Sequence, residues 1–205
     1  NARLVLEDEG GRVSESGRLQ LERLAGAALK MSQLVDDLLQ YARLGNQALR
    51  AERVDLSALG AAAAADVASE YRTAQIVVQP DLGAEGDPML LSHVLNNLLD
   101  NACKYSKQGQ PPRVTFGSKE VDGETVYFVA DQGVGIDMRF AHNLFRPFER
   151  LHNENEYPGT GIGLANVRRC IERHGGRVWL EGQVGQGTTV LFTLGRTPDA
   201  VRMTA

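Results

Sequence analysis

The stretch that decides the fold of this chain reads HVLNNLLDNACKYS at residues 93–106. Just before it, Asp87 and Pro88 form a strong helix start, because a capping carboxylate is followed by proline at the first helical position. We predict one helix from Pro88 to about Ser106. Its predicted core face consists of Leu91, Val94, Leu95, Leu98, Leu99 and Ala102.

A second stripe of this helix is polar and carries Asn97, Asn101, Lys104 and Tyr105 at positions i, i+4, i+7 and i+8. Two carboxamides one turn apart can direct their oxygens at one Mg²⁺ ion that keeps waters and bridges to phosphates. Lys104 adds a positive charge near the same phosphates, and Tyr105 offers a flat ring for a base. Taken alone, the stripe is equally consistent with a solvated polar face.

Two glycine-rich loops follow this helix. Residues 131–137 read DQGVGID directly after a predicted strand, where Asp131 can accept a hydrogen bond from the amine of adenine and the glycines let the backbone approach the base. Residues 159–164 read GTGIGL and open a helix, where backbone N–H groups and the helix dipole favour an anion. The first loop alone could be a simple turn. The second is neither a Walker loop nor a good dinucleotide fingerprint.

Residues 138–160 between the two loops are predicted to form a lid over the nucleotide. Phe145 and Phe148 can anchor this segment, and Arg146 and Arg150 are candidates to reach the γ-phosphate. An ordinary surface loop with hydrophobic anchors is the alternative.

A separate helical pattern runs from about Arg18 to Leu44, with a heptad seam of apolar residues from Leu21 to Ala42. We predict that residues 1–9 fold back on it as an antiparallel helical hairpin, and that two hairpins form a dimeric four-helix bundle. The alternative is an amphipathic helix that lies on the C-terminal domain. The predicted divisions are a hairpin at 1–45, a linker at 46–52, a nucleotide-binding domain at 53–195 and a tail at 196–205.

The order of elements after residue 53 predicts an α+β two-layer sandwich, with helices on one face of a mixed, mainly antiparallel sheet. The net charge of −4 argues against nucleic acid as the main partner. Cys103 and Cys170 are expected to be buried thiols in a reducing compartment. Because no run approaches the roughly 18 apolar residues of a membrane span, we expect a cytoplasmic protein.

The motifs, in this order, resemble those of the sensor histidine kinases of two-component signalling. Residues 93–106 resemble the N box, 131–137 the G1 box, FRPFERL at 145–151 the F box and 159–164 the G2 box, and 187–189 are similar to the small G3 element. Residues 149–181 most resemble kinases of the phytochrome-associated type. Gln132 stands where the G1 box usually has asparagine, and we expect this difference to change nucleotide binding by the loop only modestly.

The resemblance implies the Bergerat (GHKL) ATP-binding sandwich, with ATP and Mg²⁺ as ligands. It implies that Asn101 ligates Mg²⁺ with help from Asn97, and that Asp131 reads the adenine amine. The other implied ATP-binding residues are Lys104, Tyr105, Gly133, Gly135, Ile136, Phe145, Arg150, Gly159, Thr160, Gly161, Ile162, Gly163, Leu164 and Thr188. In the related gyrase-type ATPases a water-activating glutamate matches Asn97, so Asn97 implies phosphoryl transfer to another nucleophile.

The family's acceptor motif, of the form His-Glu/Asp-Leu-x-x-Pro, is not in the sequence. None of His93, His142, His152 and His174 is expected to accept a phosphoryl group, and His174 is expected at a helix C-terminus that favours positive charge. We expect the acceptor histidine upstream of Asn1.

The family implies several partners: a second copy bound through the hairpin, the receiver domain of a response regulator, and an upstream sensor domain. A non-catalytic nucleotide-binding regulator and a serine-directed kinase of the anti-sigma type are the alternative functions.

Overall fold

The structure, a computed structural model of the 205-residue chain, describes residues 14–43, 49–149, 157 and 159–195. The chain divides into two compact units with the boundary after Arg43. The predicted helix at 1–9, the helix end near Gly45 and the predicted tail at 196–205 lie outside the described residues, so the hairpin and the proposed divisions stay predictions.

The first unit contains helix α1, Glu15–Arg43, which agrees with the predicted helix from Arg18 to Leu44. Four seam residues have highly exposed side chains: Leu24 at 64%, Met31 at 62%, Val35 at 55% and Leu38 at 52%. A row of exposed apolar side chains at heptad spacing is typical of a helix that packs against other helices. Within the described part of the chain, no helix is both long and apolar enough to cross a membrane.

The second unit is built on two sheets. A five-stranded sheet has the order β2–β4–β5–β7–β6, and a two-stranded sheet pairs β1 with β3. The strands are β1 Glu52–Asp55, β2 Gln75–Val78, β3 Gly83–Gly86, β4 Arg113–Val121, β5 Glu124–Asp131, β6 Val178–Gln183 and β7 Gly187–Phe192. β2 runs parallel to β4, and the other pairs are antiparallel. The prediction of a mixed, mainly antiparallel sheet is confirmed.

The described residues of this unit also form three α-helices: α2 Leu56–Glu70, α3 Pro88–Lys104 and α4 Gly163–Arg173. The predicted start of α3 is confirmed, because Asp87 Oδ1 accepts a hydrogen bond from Met89 N at 3.0 Å. Asp55 caps α2 in the same way, with Oδ1 accepting from Ala58 N at 2.9 Å. A short 3₁₀ helix, Met138–Asn143, lies within the predicted lid.

The core lies between the five-stranded sheet and the three helices. All six residues of the predicted core face of α3 are buried, and they pack with Phe116 and Phe192 of the sheet and with Val167 and Ile171 of α4. Cys103 and Cys170 are buried free thiols, as predicted. Burial raises the pKa of each to about 11, so both stay protonated at neutral pH. The α+β two-layer sandwich is confirmed.

Strand β3 was not expected from the sequence. Its residues, Gly83-Ala84-Glu85-Gly86, include no β-branched or aromatic side chain. The strand depends on tertiary contacts instead: it pairs with β1, and the carbonyl oxygen of Gly83 accepts a hydrogen bond from the Tyr127 hydroxyl at 2.6 Å. β3 leads directly into Asp87, so it fixes where α3 begins.

Candidate nucleotide-binding site

The polar stripe of α3 lies beside the start of α4. Asn97 Nδ2 donates a hydrogen bond to the His93 carbonyl oxygen at 2.8 Å, which leaves Asn97 Oδ1 on the side of Gly163. A Cβ atom added at Gly163 would lie 2.7 Å from Asn97 Oδ1 and 3.8 Å from Asn101 Nδ2. Because Gly163 has no side chain, there is room in front of both carboxamides.

These two carboxamides suit a hydrated Mg²⁺ ion. In the described ranges, no group of three or more His, Cys, Asp and Glu side chains could hold a metal. A metal beside Gly163 would therefore depend on amide oxygens, phosphate oxygens and water, which is the ligand set that Mg²⁺ accepts when it bridges to a nucleotide. A half-turn of the Asn101 amide places its Oδ1 where Nδ2 now lies. The residues present fit the ion that the sequence predicted.

Lys104 and Tyr105 lie where α3 ends. A Cβ atom added at Gly159, the first residue of the second glycine loop, would lie 2.7 Å from Lys104 Nζ. The Lys104 ammonium group lies 5.1 Å from the centre of the Tyr105 ring. The Lys104 ammonium group is therefore close to the start of the loop that was predicted to hold phosphate.

The Tyr105 ring also packs against Tyr157, with ring centroids 5.2 Å apart and planes tilted by 42°. Tyr157 is buried, with 8% of its surface exposed. Tyr157 was not among the predicted site residues. An aromatic residue two positions before Gly159 was the available signal, but a partner ring 52 positions earlier in the chain could not be read from it.

Asp131, at the end of β5, has its carboxylate fixed by two backbone groups. Oδ1 accepts hydrogen bonds from Gly133 N at 2.8 Å and from Thr188 N at 3.1 Å. Both bonds go to one oxygen, so they orient the group and leave Oδ2 for another donor. Burial raises the pKa of Asp131, while the two hydrogen bonds oppose that rise. Thr188 thus acts on the site through its backbone N–H.

The glycines of the first loop are required by contacts within the protein. A Cβ atom at Gly133 would lie 2.2 Å from the Tyr105 carbonyl oxygen, and one at Gly135 would lie 1.9 Å from the Gln183 carbonyl oxygen. Main-chain atoms cannot move aside as a side-chain end can. These glycines were predicted to allow close approach to the base, but the protein's own backbone occupies the space that their side chains would need.

The same loop is held by backbone hydrogen bonds on both sides. Val134 N donates to the Tyr105 carbonyl oxygen at 3.0 Å, and the Val134 carbonyl oxygen accepts from Gly185 N at 2.7 Å. A Cβ atom at Gly187 would lie 2.1 Å from the Asp131 carbonyl oxygen. The first glycine loop is therefore clamped between the end of α3 and the turn from β6 to β7.

The remaining predicted site residues divide into three groups. Ile136 is buried with Ala141 and Leu180, and Phe145 packs against them, so both predicted residues have a packing role. Ile162 and Leu164 are also packed at the start of α4, where Gly161 has a φ of +77° and Thr160 is half-buried. Arg146 is exposed, and Arg150 lies outside the described residues.

The expectation that His174 favours positive charge is wrong. His174 is 1% exposed, its Nδ1 lies 2.7 Å from the Cys170 carbonyl oxygen, and its Nε2 accepts a hydrogen bond from Asp87 N at 2.9 Å. Burial lowers its pKa, so desolvation outweighs the preference of a helix C-terminus for positive charge. The neutral ring joins the end of α4 to the cap of α3.

Comparisons with known proteins identify the family of this chain. Residues 86–198 match the family described as "Histidine kinase-, DNA gyrase B-, and HSP90-like ATPase". The chain is 35% identical over 194 residues to the methanogenesis regulatory histidine kinase FilI of Methanothrix harundinacea. It is 32% identical over 166 residues to cyanobacterial phytochrome A of Nostoc sp.. These alignments cover 92% and 80% of this chain but 21% and 22% of the relatives, so the chain spans about a fifth of their length.

Two solved structures show the same fold. The mycobacterial sensor histidine kinase MprB is 28% identical with a TM-score of 0.60, covering 72% of this chain and 99% of that one. Full-length ShkA in complex with AMPPNP is 25% identical with a TM-score of 0.67, covering 96% of this chain and 42% of that one. The chain therefore belongs to the family of histidine kinase-, DNA gyrase B- and HSP90-like ATPases, has the Bergerat sandwich as its fold, and has sensor histidine kinases as its relatives.

Proposed function

We propose that this chain is the ATP-binding and phosphoryl-donating part of a sensor histidine kinase. The observation that carries the proposal is the fixed carboxylate of Asp131, with Oδ1 bonded to Gly133 N and Thr188 N. This geometry leaves Oδ2 to accept a hydrogen bond from the amine of adenine. The family match over residues 86–198 supports ATP as the ligand, as does AMPPNP, an ATP analogue, in the similar chain ShkA.

The opposite end of the proposed site holds Mg²⁺ and the phosphates. Asn101 would ligate the ion with Asn97 beside it, and the Lys104 ammonium group would neutralise phosphate charge. The half-buried Tyr105 ring stacks near the base. Mg²⁺, when bound, would supply charge stabilisation for the transferred phosphoryl group.

Asn97 favours transfer to a protein nucleophile over hydrolysis. A carboxamide cannot take a proton from water at neutral pH, so Asn97 cannot act as a general base. In the proposed reaction, an imidazole nitrogen of a histidine outside these residues forms a bond to the γ-phosphorus while the bond to the bridging oxygen breaks and ADP leaves. The phosphoryl group then passes to an aspartate in the receiver domain of a response regulator. His174 is too buried to be the acceptor.

We further propose that α1 belongs to a helical hairpin that dimerises as a four-helix bundle, downstream of a sensor domain and in the cytoplasm. The exposed seam at Leu24, Met31 and Val35 supports dimerisation. Light scattering should find a dimer whose mass is halved by Met31→Glu and by Val35→Glu. Ser32→Glu, at a neighbouring exposed position, should leave the dimer intact. A wild-type monomer at high concentration would contradict this part of the proposal.

The main test is incubation of the longer natural protein that contains these residues with γ-labelled ATP. Label that is lost in acid and kept in base identifies phosphohistidine and supports the proposal. Acid-stable label would instead identify a serine-directed kinase. ATP binding without any label would identify a non-catalytic nucleotide-binding regulator.

A further inference from the structure

Asn166 on α4 has a buried oxygen that nothing in the described part of the chain satisfies. The residue is 4% exposed, and its Oδ1 has no hydrogen-bond partner. An unpaired buried acceptor is destabilising and needs an explanation, such as a bound water, an ion or a functional role. Its neighbours Val167, Cys170 and Ile171 all pack into the apolar core. An apolar side chain at position 166 would be the ordinary solution for this helix.

The position of Asn166 links its oxygen to the proposed metal end of the site. Asn166 follows Gly163 by three residues, so the two are neighbours on the surface of α4. Helical side chains lean toward the N-terminus of their helix, which directs the Asn166 carboxamide over the turn that Gly163 forms. A Cβ atom at Gly163 would lie 2.7 Å from Asn97 Oδ1. Asn166 therefore lies at the same part of the α3–α4 boundary as Asn97.

Asn97 presents an oxygen there as well. Its Nδ2 is used by the His93 carbonyl oxygen, so the group that remains on the Gly163 side is the acceptor Oδ1. Two acceptors, Asn97 Oδ1 and Asn166 Oδ1, cannot hydrogen-bond to each other. They can both be satisfied by one water molecule, which has two protons to donate.

We propose that Asn166 is a positioning residue for the metal end: with Asn97, it orients a water molecule of the hydration shell of Mg²⁺. A metal-bound water has a lone pair on the ion and directs both protons outward, so it needs two acceptors. Mg²⁺ keeps several waters when it binds nucleotides, and outer-shell acceptors fix the direction of such ligands. The proposal rests on the Mg·ATP site of the proposed function and deepens it.

The test compares ATP binding by calorimetry with Mg²⁺ and with EDTA, together with the melting temperature without nucleotide, on the 205-residue chain. Asn166→Leu removes the oxygen at similar volume. It should leave the melting temperature unchanged or higher, reduce the Mg²⁺-dependent gain in ATP affinity about tenfold, and leave the affinity in EDTA unchanged.

Two further variants separate positioning from packing. Asn166→Asp keeps an acceptor oxygen, so it should keep the Mg²⁺-dependent gain while a buried charge lowers the melting temperature. Cys170→Ala is the matched control, one turn further along α4 and equally buried. It should lower the melting temperature through a lost packing contact and leave the Mg²⁺-dependent gain unchanged.

Several results would overturn the proposal. Wild-type Mg²⁺ dependence in Asn166→Leu, or an equal loss of affinity with Mg²⁺ and with EDTA, would contradict it while leaving the proposed function intact. Failure of both Asn166→Leu and Asn166→Ala to fold would also overturn it, because the carboxamide would then belong to the fold itself. A wild-type chain that binds no ATP would refute the proposed function and this inference together.

Discussion

The two glycine-rich loops look alike in sequence but are built differently. In the first loop, Cβ atoms at Gly133 and Gly135 would lie 2.2 and 1.9 Å from main-chain carbonyl oxygens. In the second loop, Cβ atoms at Gly159 and Gly163 would each lie 2.7 Å from the end of a flexible side chain, Lys104 Nζ and Asn97 Oδ1 respectively. The first loop is packed against backbone, whereas the second faces movable polar groups.

This difference indicates two kinds of binding surface. The proposed base end around Asp131 is fixed without a ligand, because the orientation of the Asp131 carboxylate comes from backbone hydrogen bonds. The proposed phosphate end consists of side chains with rotatable bonds, which would adjust to Mg²⁺ and phosphate. Fixed donors and acceptors favour specificity for one base, whereas adjustable ones suit the phosphate group, which changes during phosphoryl transfer.

The largest expected effect comes from adding a methyl group to the first loop. Gly135 has a φ of +68° and no room for a Cβ atom, so Gly135→Ala should cost more than about 4 kcal/mol in the free energy of unfolding or prevent folding. Gly185→Ala, with a φ of +79° and open space around it, should cost only about 1 kcal/mol. Urea unfolding followed by the fluorescence of Trp179, the single tryptophan, measures both. Equal losses would show that the loop is not clamped.

The next effect concerns recognition of the base. Asp131→Asn replaces one carboxylate oxygen by an N–H donor, so the affinity for ATP should fall about a hundredfold, or about 2.7 kcal/mol. Stability should change little, because an amide oxygen can still accept from Gly133 N and Thr188 N. Asp137→Asn is the control in the same loop. An equal loss of ATP affinity in both variants, measured by calorimetry, would remove Asp131 from its proposed role.

A smaller effect should come from the second loop. Gly163→Ala places a methyl group against the end of the Asn97 side chain, which can move aside. Because alanine also has a higher helix propensity than glycine, the free energy of unfolding should change by less than about 1 kcal/mol. The affinity for Mg·ATP should nevertheless fall about tenfold, while ATP affinity in EDTA stays the same. Destabilisation as large as that of Gly135→Ala would mean that both ends of the site are equally rigid.

The smallest effect is a pH dependence of stability at His174, which joins the end of α4 to the start of α3. Burial lowers the pKa of His174 below 6.5, so the unfolded chain binds more protons than the folded one once pH falls below that value. The stability contributed by neutral His174 is present above pH 6.5. It should be lost as pH falls toward the lowered pKa, with a slope of at most about 1.4 kcal/mol per pH unit. His174→Gln should flatten this slope in urea unfolding, whereas the exposed His142→Gln should not.

Features that depend on local sequence were predictable. The cap Asp87 marks the start of α3, and the apolar periodicity of α3 identifies its buried face. The order of the four boxes was sufficient to indicate the fold and the family. These signals could be read because each depends on residues within a few positions of one another.

Features that depend on contacts across the fold were not predictable. The steric reason for Gly135 lies at Gln183, and the partner of the Tyr105 ring lies at Tyr157. Burial lowers the pKa of His174, and the hydrogen bond that holds its ring there comes from the Asp87 N–H, far away in sequence. A single sequence does not show which residues face one another, so the roles of these residues could not be inferred from it.

The central claim is that Asp131 and Asn101 mark two separate ends of one Mg·ATP site. Its most direct test is calorimetry of ATP binding, with Mg²⁺ and with EDTA, for wild type, Asn101→Ala and Asp131→Asn. The account predicts that Asn101→Ala loses the Mg²⁺-dependent gain and keeps the affinity measured in EDTA, whereas Asp131→Asn loses affinity in both conditions. Unchanged Mg²⁺ dependence in Asn101→Ala, or no ATP binding by wild type, would contradict it.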